Sequence, residues 1–387
     1  MKILPDDVRR NPYPMFEQMR PQSPVYMPGA DIWMILDYDS VKQTLSDPDT
    51  FSSSVSRSRN GNFEWLMFMD PPRHTKLRAI VSRAFTPRSI ANLEARIRQL
   101  SRELLDPLVA RGEMDLVTDF ASTLPVMVMA ELIGFPLSEW PRLTRWSLAI
   151  MGLAETISGT EEESHAAGAT FGQANEEMKQ YLDGLLRDRR ARPKDDLLTR
   201  LVEAEVDGER LTETETLRFV QLLLAAGSET TTNLISNAVL CFIECPEQLV
   251  RLRTAPELLP SAIEEVLRYR SPGQTMLRTP NRDVELKGRV IPAGKLVLVM
   301  IGSANRDPKH FPEAQRFDIA RDPNPHLAFG QGIHFCLGAP LARLEARVAL
   351  QDLLWRDKNM ELATDAPWEP RRAFNVLGPI HLQIRWK

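Results

Sequence analysis

The sequence predicts a mainly α fold with minor β, organised around one long central helix. Three observations carry that expectation. Apolar residues recur at helical spacing over most of the 387 residues, while strand-like alternation is confined to two short stretches. A single helical pattern also persists from Thr212 to Cys245, where Pro246 stops it, and at 1.5 Å per residue it reaches about 50 Å, enough to cross a domain.

Taken in order, VYMPGADIWMILDY at 25–38 reads as two short β runs around a Pro-Gly turn. SIANLEARIRQLSRELLDPL, beginning at Ser89, has helical periodicity. MGLAETISGTEEESHAAGATFGQAN at 151–175 is rich in small and polar residues and is the candidate for a mobile lid. NEEMKQYLDGLLRDRRAR is helical again and ends before Pro193. The long helix opens on a capping box, Thr212 with Glu215, and LRFVQLLLAA is apolar on nearly every face, as a buried helix requires. AGSETTTN then interrupts it: Gly227 costs about 1 kcal/mol against alanine in a helix interior, and hydroxyls compete for backbone hydrogen bonds. Conflict between local propensity and global pattern tends to mark a functional site. A second capping box, Ser261 with Glu264, opens a short helix on which Glu265 and Arg268 share a face. DVELKGRVIPAGKLVLVM at 283–300 completes the β signals. No internal repeat or linker is evident, so a single domain over 1–387 is expected, punctuated by 29 prolines.

The charge balance, 48 basic against 52 acidic residues for a net of -4, argues against a nucleic-acid partner. Cys241, Cys245 and Cys336 are too few for a disulfide framework, which fits a reducing cytoplasm. The N-terminal MKILPDDVRRNPYPMF has acids and prolines where a signal peptide needs an apolar core. The charge-free run from Pro323 to Ala342 is broken by prolines and glycines, so no membrane anchor is expected.

The sharpest chemical signal is FGQGIHFCLG, Phe329 to Gly338, followed by the helical APLARLEARVAL. Cys336 stands at a loop-to-helix junction, where the helix dipole and free N–H groups favour a thiolate, a soft metal ligand. Gly330 and Gly332 would let the loop pass close to a flat group, and Gly338 would let a backbone N–H face the sulfur. A lone cysteine is more often a buried structural residue, but the glycine spacing favours the ligand. Zinc is disfavoured, because Cys241 and Cys245 lie on a separate helix with no matching pair.

FGQGIHFCLG resembles the haem-binding loop of the cytochrome P-450 family. Further family motifs stand in the right order: DPPRHTKLR at 70–78, AGSETT at 226–231, EEVLR at 264–268 and MLRTP with Arg278, so the resemblance covers essentially the whole chain. It implies a cytochrome P-450 fold with the long helix over a haem b. Cys336 would be the axial thiolate, and His74, Arg78, Arg278 and His334 would hold the propionates, with Phe329, Gly330 and Gly338 shaping the cofactor loop. Glu265 and Arg268 would form a buried structural network, with Arg316 as its expected third member.

Glu229 and Thr230 match the acid and alcohol pair that the family places over the haem, where a carboxylate and a hydroxyl relay protons for O–O cleavage while thiolate electron push assists from the other face. The ordinary role of Thr230 would be back-bonding to a helix carbonyl. Trp65 and Leu66, within RNGNFEWLMFMD at 59–70, and Leu223, Ala226, Thr275, Met276, Val376 and Leu377 are candidate pocket residues by motif position. Their apolar character implies a lipophilic small-molecule substrate.

The expected activity is therefore haem-thiolate monooxygenation: hydroxylation with O2 and two electrons from a separate donor, a ferredoxin with its reductase. A non-oxygenase haem protein, such as a gas sensor, or a peroxide-driven enzyme of the same fold are the alternatives, and the intact Glu229 and Thr230 pair disfavours both. A monomer is expected. Arg73, Lys76, Arg83, Arg88, Arg343 and Arg347 are expected to ring the thiolate side as a basic docking patch.

Overall fold

A computed structural model describes residues 4–54, 64–155, 161–355 and 360–386. Helices dominate, and those that frame the site are α1 Arg73–Ala84, α2 Glu94–Arg111, α3 Thr123–Ile133, α4 Trp140–Glu155, α5 Glu161–Ala191, α6 Glu213–Glu244, α7 Leu259–Tyr269 and α8 Ala339–Leu354. The capping box at the start of α6 is present: Thr212 Oγ1 accepts from the Glu215 N–H, and Glu215 Oε2 accepts from the Thr212 N–H. The helix runs 32 residues to Cys245. The main cluster of the core, which includes Phe219, Leu224, Ile235 and Phe242 of α6, draws on α2, α3, α4, α5, α7 and α8 as well. Packing, more than propensity, sustains so long an apolar helix.

At Gly227 a β-carbon would meet the terminal methyl of Met129 on α3, the movable end of a flexible side chain. The stretch Leu116–Ile133, which contains α3, is apolar enough to cross a membrane by length and composition, but 78% of it is buried inside the protein.

The strands are short. A five-stranded sheet has the order β1 Val25–Met27, β2 Ile32–Ile35, β5 Leu296–Val299, β4 Met276–Pro280 and β3 Phe51–Ser52. β1 and β2 are antiparallel and flank the Pro28-Gly29 turn, β2 runs parallel to β5 with Leu296 opposite Ile32, and β4 pairs antiparallel with both β5 and β3. The sheet packs on separate apolar clusters, one holding Ile35, Val41, Val299 and Phe311, the other Tyr13, Phe16, Leu298 and Leu377.

Of the candidate lid at 151–175, the described residues are helical: 151–155 closes α4 and 161–175 forms the first half of α5. One capping expectation is corrected. The helix carrying Glu264 starts at Leu259 without a side-chain cap, because Ser261 donates instead to the carbonyls of Leu258 and Ile319. A fold-stabilising arginine is also reassigned. Glu265 and Arg268 pair at 2.7 Å with neither side chain exposed, and Arg268 caps the carbonyls of Asn305, Ala314 and Arg316. The third member is Arg321, whose Nε lies 3.2 Å from both Glu265 oxygens. Arg316 offers only its carbonyl, and its side chain turns out to the exposed Glu313.

Candidate functional site

The loop 329–338 folds back on itself: the Cys336 N–H donates to the Phe329 carbonyl at 2.9 Å, and the Gly330 N–H to the Leu327 carbonyl at 2.8 Å. Gly330 and Gly332 have φ of 74° and 71°, in the left-handed region that favours glycine. At Gly332 a β-carbon would also come within 2.7 Å of the Leu45 carbonyl. The path of the loop itself therefore favours glycine at both positions.

The Cys336 sulfur lies where the loop enters α8. Burial pushes its thiol up, opposed by the Gly338 and Ala339 N–H groups and by the charges of Arg78 and Arg343. Arg78, on α1, donates to the Phe335 carbonyl at 2.6 Å, next to that sulfur. Arg343 lies over the Phe329 ring at 4.5 Å. Among the described residues there is no group of three or more His, Cys, Asp or Glu that could hold a metal ion.

Beside this loop the structure gathers His74, His334, Arg78 and Arg278. The imidazoles of His74 and His334 are 4.2 Å apart. His74 is 1% exposed, yet neither of its ring nitrogens has a hydrogen-bond partner among the described residues. Burial, with the charge of Arg78, lowers its pKa. His334 is driven down to about 3 by burial and by its neighbours His74, Arg278 and Arg78, so both rings are neutral. Its Nε2 is 2.9 Å from the Ser53 hydroxyl.

Arg278, on β4, is buried and donates to the Leu277 carbonyl; no carboxylate pairs with it among the described residues. Burial lowers it to about 10, with Asp70 opposing. Asp70 itself is occupied by the Ser52 hydroxyl and the Ser53 N–H. The cluster is thus a buried set of donors facing a shortage of acceptors. Ser53, which no motif singled out, joins the cluster by bonding both the Asp70 carboxylate and His334, and Asp70 opens the 70–78 motif.

On α6, Ala226 is exposed while Leu223, Leu224 and Ala225 are buried, so the middle of a core helix faces open space. The Thr230 hydroxyl donates to the Ala226 carbonyl at 2.5 Å, the ordinary back-bond. Glu229 Oε1 lies 3.8 Å from Nε of Arg371, a partner that sequence spacing did not suggest.

Among the pocket candidates, Thr275 donates to the Met300 sulfur and Met276 packs beside the sheet. Val376 bridges Gly273, and Leu377 N–H donates to the Pro272 carbonyl, which ties 375–377 to 272–276. Leu377 itself is 2% exposed and packs with Tyr13 and Phe16. Leu66 and Leu223 belong to the main core, with Trp65 packed against it. Residues 59–63 of the expected covering segment lie outside the described residues.

The expected basic patch is largely neutralised. Arg343 forms a bidentate pair with Glu264 at 2.7 Å, which with His326 holds that carboxyl down at about 2. Arg347 pairs with Glu94, Lys76 with Glu209, and Arg73 with both Glu209 and Glu215.

A profile of the cytochrome P450 family matches residues 163–356. Cytochrome P450 109 of Bacillus spizizenii is 42% identical over 380 residues, covering 97% of this chain and 91% of its own length. Cytochrome P450 monooxygenase PikC of Streptomyces venezuelae is 37% identical over 404 residues, covering 99% of this chain and 93% of that one. The crystal structure of CYP109E1 from Bacillus megaterium in complex with testosterone aligns with a TM-score of 0.89 at 37% identity, over 97% of this chain and 99% of that one.

Proposed function

This chain belongs to the cytochrome P450 family, and from that premise we propose that Cys336 supplies the axial thiolate to the haem iron and that His74, Arg78, Arg278 and His334 hold the propionates. The protein is an oxidoreductase, a haem-thiolate monooxygenase that uses O2, a redox partner and lipophilic substrates. The observation that carries the residue assignments is the donor cluster beside the Cys336 loop. Two neutral imidazoles and two arginines, one of them buried without a carboxylate, fit a pair of anionic propionates. The haem is of the b type, and Phe329, Gly330 and Gly338 shape its seat on the thiolate side.

Bound haem supplies the activation of O2 that makes an unreactive C–H bond attackable. The overall change is hydroxylation: O2, two electrons and two protons convert a C–H bond to C–OH and release water. Residues of this chain manage the protons. Glu229, held near Arg371, takes a proton from solvent, and Thr230 passes it from its hydroxyl toward the open side of α6. For that step the Thr230 O–H must leave the Ala226 carbonyl. Ala226, Leu223, Thr275, Met276, Val376 and Leu377, with Trp65 and Leu66, form or back the apolar wall that orients the substrate. A steroid is bound by the similar CYP109E1, which supports a bulky lipophilic substrate here.

The protein acts as one cytoplasmic, monomeric catalytic domain over 1–387 that receives electrons from a ferredoxin and its reductase. Cys336→Ala is the direct test: the ferrous CO adduct of the wild type should show the strongly red-shifted Soret band of thiolate ligation, and Cys336→Ala should lose it. Cys241→Ala and Cys245→Ala should keep it. Retention of the band in Cys336→Ala sinks the assignment.

A further inference from the structure

Along the first turns of α6, Glu215, Arg218 and Gln221 recur at intervals of three and so lie on one stripe. Each grips the segment 64–73. Glu215 pairs with Arg73 and Arg218 with Glu64. The indole N–H of Trp65 donates to Gln221 Oε1 at 3.4 Å, and Gln221 Nε2 donates to Asn175 Oδ1 on α5 at 2.5 Å. The indole can only donate, so the orientation of the Gln221 amide is fixed by its partners. The rungs are unequal in kind. Arg73, Glu64 and Arg218 are substantially exposed, where ion pairs are screened and weak, whereas Gln221 is 3% exposed. An amide buried that deeply must keep its partners, so it fixes their positions.

We propose that Gln221 is a specificity-determining residue: braced by Asn175 on α5, it holds the Trp65 indole to α6 and thereby limits how bulky a substrate the pocket accepts. The inference rests on the reading of Trp65 and Leu66 as pocket wall. Trp65 stacks on Phe68, with ring centroids 6.3 Å apart and an interplanar angle of 14°, so a turn of the indole displaces a second aromatic ring. Asn175 makes the lock answer to α5 as well.

The test uses the haem-loaded full chain, with imidazole, phenylimidazole and biphenylimidazole as probes. These differ in apolar bulk and report binding through the Soret band. Gln221→Leu removes both hydrogen bonds at similar side-chain volume, and its affinity for biphenylimidazole relative to imidazole should rise several-fold. Asn175→Ala should move the ratio the same way by less, and it serves if Gln221→Leu does not fold. Trp65→Phe keeps a ring without the N–H and should also raise the ratio. Combined with Gln221→Leu it should add little, because both act on one contact.

Amide hydrogen exchange over 64–68 should accelerate in Gln221→Leu. Faster exchange with an unchanged ratio makes Gln221 a structural tie and overturns its role in specificity. An unchanged ratio in Gln221→Leu alongside a raised ratio in Trp65→Ala overturns the lock while leaving Trp65 as pocket wall. No change of ratio even in Trp65→Ala removes Trp65 from the wall, and the inference falls with that reading.

Discussion

Thr230 shows the ordinary back-bond, and the relay role proposed for it would draw on the same hydroxyl. Its hydroxyl is satisfied by the Ala226 carbonyl, which holds the oxygen in one rotamer beside the exposed turn of α6. Removing it in Thr230→Ala should leave substrate binding and reductant consumption intact while diverting reductant to peroxide, because proton delivery loses its last donor. Unchanged coupling of reductant to product would take Thr230 out of the relay. Glu345, on α8, makes a second residue-scale prediction. It is 1% exposed, and burial raises its carboxyl well above the ordinary 4.5. The folded chain then holds a proton that the unfolded chain releases, so this residue costs stability progressively as pH rises above about 4.5. Glu345→Gln should match wild type in thermal midpoint at low pH and exceed it increasingly toward neutrality. A gap that does not widen with pH means that the carboxyl ionises in place. The Cys336 loop stood out in the sequence because a cysteine among closely spaced glycines at a loop-to-helix junction is a local signal, whereas His74 and His334, far apart in the chain, stood out only through the family resemblance. Arg371 and Ser53 did not stand out, since each reaches its partner across elements far apart in the chain.

At the scale of elements, capping and periodicity located α6 from Thr212 to its proline stop, because both signals are local. The Glu265 network shows the opposite case. Its third arginine depends on the path of an irregular segment, which brings Arg321 inward and turns Arg316 outward, and no periodicity records that path. Arg321→Ala strips a charged partner from a fully buried carboxylate and should cost roughly 3 kcal/mol or more of stability, read as a sharp fall in the thermal midpoint. Arg316→Ala touches an exposed pair and should stay within about 1 kcal/mol. Equal effects would return Arg316 to the network.

Over the whole molecule, the helices share one main core while the five-stranded sheet packs on two separate apolar clusters. The mainly α class was readable because helical periodicity fills most of the sequence; the order of the sheet was not, since strands of a few residues pair across long stretches of chain. Charge was misread in the same way. Composition shows cations near the Cys336 side, but folding brings Glu264, Glu94, Glu209 and Glu215 to meet them. Electrostatic steering of a ferredoxin to that face should therefore be shallow in ionic strength. Arg343→Glu should impair the protein by repelling Glu264 as much as by weakening any partner contact. A steep fall in the wild-type reduction rate with added salt would show that unpaired charge dominates the docking face after all.

The parallel pairing of Ile32–Ile35 with Leu296–Val299 sets a timetable for biosynthesis. The first of these strands leaves the ribosome long before its partner exists, and it must wait with its apolar face unpaired. The contact of His74 with His334, the pair proposed to hold the propionates, forms on the same schedule, only after residue 334 has been made. A nascent chain stalled before residue 296 should therefore neither retain haem nor resist protease in its N-terminal part, and haem capture becomes an event that follows translation.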